Sequence, residues 1–338
     1  MKKKIVAFGE PLLRLSTHLG ERLFQTDQLT MHYGGAEGNV SAALSRFGYD
    51  VYFVGKVPNN PLGQAYERHL HSFGVHTDYL LKGGERLGTY YLETGVGERS
   101  AQVTYDRKAS SFAQLSTDEI NFEEILQGAD LFHVSGITPA LSKSLQELTL
   151  QGLKVAKELG VTTSFDFNYR AKLWTLEEAS RGIQPFLPYV DICSCGELDA
   201  LNLLGIEEAN SNLDHSGKLS FYYKKITEKY PNIKYLFSTF REVISASHNT
   251  LQGNFFVNGE LYQSRVHNID QIVDRVGGGD AFASGIIFGI LEGNDPQQIV
   301  NFGTAASALK HTVHGDCNVF SEEDIKAFAE NASGKIVR

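Results

Sequence analysis

The stretch "VGGGDAF", residues 276–282, sets three glycines directly before an acid and a long apolar run after it. From Ala281 onward the residues are small or apolar, with Gly285 and Gly289 four apart, which predicts a buried, closely packed helix. The first N–H groups of a helix have no internal partner, and its dipole favours negative charge there. Gly277, Gly278 and Gly279 carry no side chains, so an anion can approach those N–H groups directly. Asp280 falls in the first turn, beside that position. A carboxylate binds an anion poorly, but it suits a base that takes a proton from a group attacking the anion. Together these residues point to transfer of a phosphoryl group to a hydroxyl. Read alone, a tight turn followed by a helix-starting acid explains the pattern equally well.

Other reactive side chains form fewer patterns. The eleven histidines show no H-E-x-x-H or other tight metal spacing, and His69 and His71 are two apart on a predicted helix, so they do not share a face. His311 and His314 are read as surface or pocket-lining groups. Cys193, Cys195 and Cys317 form a sparse, odd set without zinc spacing, as in a reduced cytosolic protein. Cys193 and Cys195 share one strand face, where plain packing is favoured over a redox or metal pair.

The chain that must position these groups has 338 residues, 42% hydrophobic and 21% charged, with a formal net charge of −9. That balance argues against a nucleic-acid binder, although a local basic patch can still serve an anionic substrate. The basic start is followed by an apolar run too short for a signal peptide, and no run is long enough to cross a bilayer.

Strands are predicted at 4–10, 50–57, 130–136, 162–168, 191–195 and 235–240, several as near-continuous apolar runs. Helical patterns at 37–48, 61–74 and 144–160 lie between them and end on glycine. The alternation predicts βαβ units and an α/β fold with a mainly parallel central sheet flanked by helices. Residues 12–33 and a hairpin within 88–107 break the pattern. They predict a small separate sheet over the carboxyl edge of the main one, where open α/β folds bind ligands. A second hairpin, 252–265, turns at Asn258-Gly259.

With those elements in place, "DRVGGGDAF" resembles the "DTxGAGDAF" signature of the ribokinase-like (PfkB) carbohydrate kinases, with Val276 at the Thr position. "GGAEGNVSAALSRFG" (34–48) resembles that family's sugar-binding motif, with Asn39 in its expected place. The resemblance covers essentially the whole chain. It implies an α/β core of residues 1–11, 34–87 and 110–338 and a β lid of 12–33 and 88–109. It also implies Asp280 as the base, Gly277, Gly278 and Gly279 as the anion hole, ATP as donor and Mg²⁺ as its counter-ion, with Asp274 near the metal or phosphate. Relatives of this kind pair lid to lid, so a homo-oligomer is expected.

"DFNYRAKLW" (166–174) places Arg170 just beyond a strand end, and "TYDRK" (104–108) places Tyr105 and Arg107 on one face of a lid strand, with Tyr90 on its partner. Two guanidinium groups and two phenols suit an acidic polyol. At Gly35, Tyr90, Tyr105, Arg107, Arg170 and Asp280 the chain resembles 2-keto-3-deoxygluconate kinases, with Asn39 also on the sugar. Fructokinases carry similar stretches and are the alternative.

The nucleotide side departs from the family's pattern. "GELD" (196–199) stands where N-x-x-E is usual, leaving Asp199 for the phosphate and metal shell. "TFREVIS" (239–245) lacks the glycines of the usual nucleotide loop, and Thr239 and Arg241 are its candidate contacts. Asn301, Ala305 and Gly315 are the candidates on the small-residue helix and loop beside the adenine. These departures motivate a rival of another class, a catalytically silent sugar-acid sensor.

Overall fold

Residues 2–331 are described in this computed structural model. Met1 and residues 332–338, at the two ends of the predicted core, lie outside the described residues. The chain begins with β1 (Lys4–Phe8), passes through β2 (Leu12–Ser16) and β3 (Thr30–Gly34), and returns by α1 (Ala36–Arg46) to β4 (Asp50–Val57). Next come α2 (Pro61–Ser72), β5 (Leu80–Lys82), β6 (Gly88–Glu93), β7 (Gln102–Asp106), α3 (Phe122–Ile125) and β8 (Leu131–Ser135). The alternation continues with α4 (Ile137–Leu141), α5 (Lys143–Glu158), β9 (Thr162–Asp166), α6 (Leu176–Ile183), β10 (Ile192–Ser194), α7 (Glu197–Asn202) and α8 (His215–Lys229). The last elements are β11 (Tyr235–Ser245), β12 (His248–Val257), β13 (Glu260–Gln263), β14 (His267–Ile269), α9 (Gly278–Glu292), α10 (Pro296–Lys310) and α11 (Glu322–Asn331).

The main sheet runs β13-β12-β11-β10-β9-β8-β1-β4-β5, with β14 paired to β12. All pairs from β11 to β5 are parallel, and β12 with its partners is antiparallel. β8 is buried at every position, as a strand covered by helices on both faces must be. A second sheet, β3-β2-β6-β7, stands apart. Its core is a small apolar cluster of Leu12, Tyr90 and Leu92, against which Val276 packs. The residue at the signature's Thr position therefore ties the start of α9 to the small sheet.

Local chemistry sets the element ends. The Asn60 side chain accepts from the N–H groups of Leu62 and Gly63, and Pro61 opens α2. Asn258 and Gly259 both have positive φ, 53° and 84°, and turn β12 into β13 as that dipeptide predicts. At Gly285 of α9 an added Cβ would stand 2.6 Å from Gly303 Cα of α10, so the small residues do permit close helix packing.

One expectation is corrected. Residues 239–245 are not a loop: β11 continues to Ser245, pairing Thr239 with Gly253 and Arg241 with Leu251. Aromatic and β-branched residues at Phe240, Val243 and Ile244 favour the extended backbone that the missing glycines would have broken.

Candidate active site

α9 starts where the glycines require it. Gly277 has φ 79°, and a Cβ there would fall 1.8 Å from the Asp316 carbonyl oxygen. A Cβ on Gly278 would press on the His311 ring, whereas one on Gly279 would meet open space. Among the described residues, the N–H groups of Gly279 and Asp280 have no backbone acceptor. The first turn thus presents free donors toward a space that Gly279 leaves open.

Asp280 is half-buried at the edge of that space, and Asn39 Nδ2 of α1 donates to its Oδ2 at 2.7 Å. Gly35, with φ 118°, caps α1 and accepts from Asn39 N–H at 2.8 Å; a Cβ there would strike the Glu10 carbonyl. Burial pushes the Asp280 carboxyl up to about 7; the Asn39 hydrogen bond and Arg170 oppose this, and the nearby carboxyls of Asp166 and Glu37 reinforce it. Asp166, at the end of β9, is likewise pushed up by burial to about 6. Arg170, in the following loop, is exposed. Asp280, Asp166, Arg170, Asn39 and Glu37 form one cluster at the carboxyl edge of the sheet. It combines carboxyls, a cation and N–H donors without a backbone acceptor.

The structure gives Tyr90 and Arg107 partners of their own. Arg107 is buried against the Glu10 carboxylate, with its Nε 2.7 Å from Oε2, and Ser110 donates to the same carboxylate. Tyr90 donates to Asp316 Oδ2 at 2.8 Å. Tyr105 faces Tyr90 across β6 and β7 with ring centroids 6.0 Å apart, and the Arg107 guanidinium carbon lies 5.5 Å from the Tyr105 ring centre.

Asp274 is reassigned. Both of its carboxylate oxygens are bound by Arg14, at 3.0 and 2.5 Å, and they also accept from the N–H groups of Val276 and Gly315. Burial works against its charge, but Arg14 and Lys310 outweigh it and hold the carboxyl below its usual range. A carboxylate so fully engaged is not free for a metal. Among the described residues, no group of three or more His, Cys, Asp or Glu side chains is placed to hold a metal ion.

On the nucleotide side, Asp199 accepts from Gly196 N–H at 2.8 Å and lies close enough to Asp166 to raise its pKa. Arg241 is exposed, Thr239 is half-buried, and Asn301 accepts from Gln297. Ala305 is corrected: it is fully buried on the core-facing side of α10 and lines no open surface.

The sequence reading missed Arg14 and Asp316. Arg14 is among the largest fully buried side chains of the described residues; besides Asp274, its Nε lies 3.1 Å from Asp316 Oδ1. A lone arginine inside the strand "LLRLS" was the available signal. For Asp166, the first residue of "DFNYR", the signal is its place at the carboxyl end of β9.

A parallel α/β sheet whose carboxyl edge carries a helix-start anion site and a half-buried carboxylate is the framework of a phosphoryl-transferring enzyme. Comparison with known proteins gives that framework a family. The chain matches the model of the pfkB family carbohydrate kinases over residues 2–232 and 249–323, and it belongs to that family. It is 32% identical to the 2-dehydro-3-deoxygalactonokinase of Haloferax volcanii over the full length of both chains. It is 30% identical to the 2-dehydro-3-deoxygluconokinase of Bacillus subtilis, covering 94% of this chain and 92% of that one. Among solved structures it is similar to the 2-dehydro-3-deoxygluconokinase of Thermotoga maritima, with TM-score 0.93 and 46% identity over 97% of this chain and 100% of that one.

Proposed function

We propose that this carbohydrate kinase transfers the γ-phosphoryl group of ATP to the terminal hydroxyl of 2-keto-3-deoxy-D-gluconate. The observation that carries the reading is the placement of Asp280: a half-buried carboxyl held near neutrality, directly beside the unpartnered N–H groups of α9. The hydroxyl oxygen bonds to the γ-phosphorus as the bond from that phosphorus to the β,γ-bridging oxygen breaks and ADP leaves. Asp280 takes the hydroxyl proton, and the Gly279 and Asp280 N–H groups stabilise charge on the transferring group. Gly277 and Gly278 give the backbone the turn that aims those donors.

Mg²⁺ commonly rests on phosphates and one or two carboxylates, and it neutralises developing charge. Asp199 and Asp166, close together at the sheet edge, fit a Mg²⁺ that arrives with the nucleotide. Thr239, Arg241 and Asn301 are assigned to the nucleotide. With Arg107 bound to Glu10, Arg170 is the guanidinium left free for the substrate carboxylate, and Tyr105 borders the sugar.

The β3-β2-β6-β7 sheet is read as the lid that excludes water, and the exposed Met31 of β3 with Leu19 and Phe24 beside it as the surface of a lid-to-lid dimer. Calorimetry and turnover of Asp280→Asn test the assignment: sugar still binds, and phosphorylation is lost. Retained turnover refutes the base. Because the Haloferax relative is named for the galacto acid, both epimers belong in the substrate panel.

A further inference from the structure

A line of hydrogen bonds leads from Asp280 away from the reacting atoms to the surface. Asn39 Nδ2 donates to Asp280, and Asn39 Oδ1 accepts from the Cys317 thiol, with sulfur 3.4 Å away. His69 Nε2 of α2 lies 3.5 Å from the same sulfur.

Each link fixes the next. A thiol has one proton. Donated to Asn39 Oδ1, it leaves the sulfur as an acceptor, so the facing His69 nitrogen must carry hydrogen. Burial pushes His69 down to about 4, which keeps the imidazole neutral, and pushes the Cys317 thiol up, which keeps its proton on. An amide whose oxygen is engaged by the thiol turns its NH₂ to the carboxylate. The donors then all run one way, from His69 through Cys317 and Asn39 to Asp280, and each polarises the next.

We propose that Cys317 and His69 are positioning residues that hold the Asn39 amide in its donating orientation and so govern the protonation of Asp280. The inference rests on the reading of Asp280 as the base only for its effect on rate. Without the thiol, the amide can turn its oxygen toward a protonated Asp280, which stabilises the acid form. The other groups facing Asp280 are Glu37 of α1, Asp166 of β9 and Arg170 beyond it. His69 packs among the rings of Tyr33, Tyr66 and Phe73. It borders a shallow surface cleft that His32, His314 and Asp316 also line.

The test pairs two readouts on the full chain: carbon NMR titration of the Asp280 carboxyl, assigned with Asp280→Asn, and the pH profile of kcat/KM. Cys317→Ala should move the carboxyl titration and the acid limb up by about half a pH unit. That is about a threefold loss on the acid side and little loss in alkali. Cys317→Ser, which restores a donor, should bring both back. His69→Phe, which keeps a ring at the outer end, should give a smaller shift in the same direction, and it carries the test if Cys317→Ala does not fold. An unchanged titration in these variants overturns the proposal, as does a loss equal at all pH values or no recovery with serine. A shifted titration beside an unshifted rate profile upholds the hydrogen-bond line and refutes Asp280 as the base.

Discussion

Asp280 must stay ionised to take a proton, yet it sits where burial and two neighbouring carboxyls resist its charge. With its carboxyl pushed up to about 7, kcat/KM should fall about tenfold per pH unit below that point, read from initial rates. The same shift sets a stability trade. The folded chain keeps this proton up to about pH 7, whereas the unfolded chain releases it near about pH 4. The folded state therefore binds more protons across that window, and stability from this site falls as pH rises through it. Asp280→Asn should lose on the order of 10²–10⁴ in kcat and melt higher than the parent above pH 7, with the gain vanishing below pH 4. Gly279 offers a sharper separation. A Cβ there meets nothing within 4 Å among the described residues, so Gly279→Ala should fold with stability unchanged or raised by up to about 1 kcal/mol, yet lose turnover because the methyl fills the donors' approach. Urea unfolding and turnover on one preparation check both halves. The glycines and Asp280 were legible because three glycines before an acid is a local pattern. The Arg14 pairing was not: its partner Asp274 is 260 residues away, and no periodicity encodes such a contact.

At the element scale, α9 is held in place from the small sheet. Arg14 of β2 is buried between Asp274 and Asp316, on the loops that flank the glycine turn, and Tyr90 of β6 donates to Asp316. Asp274 in turn accepts from Val276 N–H, so a cation on β2 fixes the backbone one residue ahead of Gly277. Arg14→Ala should destabilise by about 3–5 kcal/mol in urea unfolding, because it removes the buried cation that two carboxylates share. The parallel strands were readable as apolar runs, and α1, α2 and α5 from their glycine stops. The extension of β11 was obscured because a family motif suggested a loop where the chain's own alternation continues the strand. Arg107 has a contact that its motif did not signal: its guanidinium donates to Glu10, 97 residues away in sequence.

The whole molecule joins a helix-covered α/β core to a four-stranded sheet through Val276 and the Arg14 cluster. The architecture was open to sequence because alternation and interruption are long-range patterns of composition. Its assembly rests on surface alone. Phe24 is 82% exposed and Leu19 74%, and Phe24→Glu should convert the expected dimer to monomer in sedimentation velocity. Arg170→Ala should weaken acid substrates far more than neutral ketoses. The central claim is most directly tested by a coupled ADP-release assay with saturating Mg-ATP. The panel sets 2-keto-3-deoxy-D-gluconate and its galacto epimer against fructose and other neutral ketoses. The account predicts turnover of the keto-deoxy acid and little of the neutral sugars. Turnover of fructose without the acid, or binding of the acid without turnover, would contradict it.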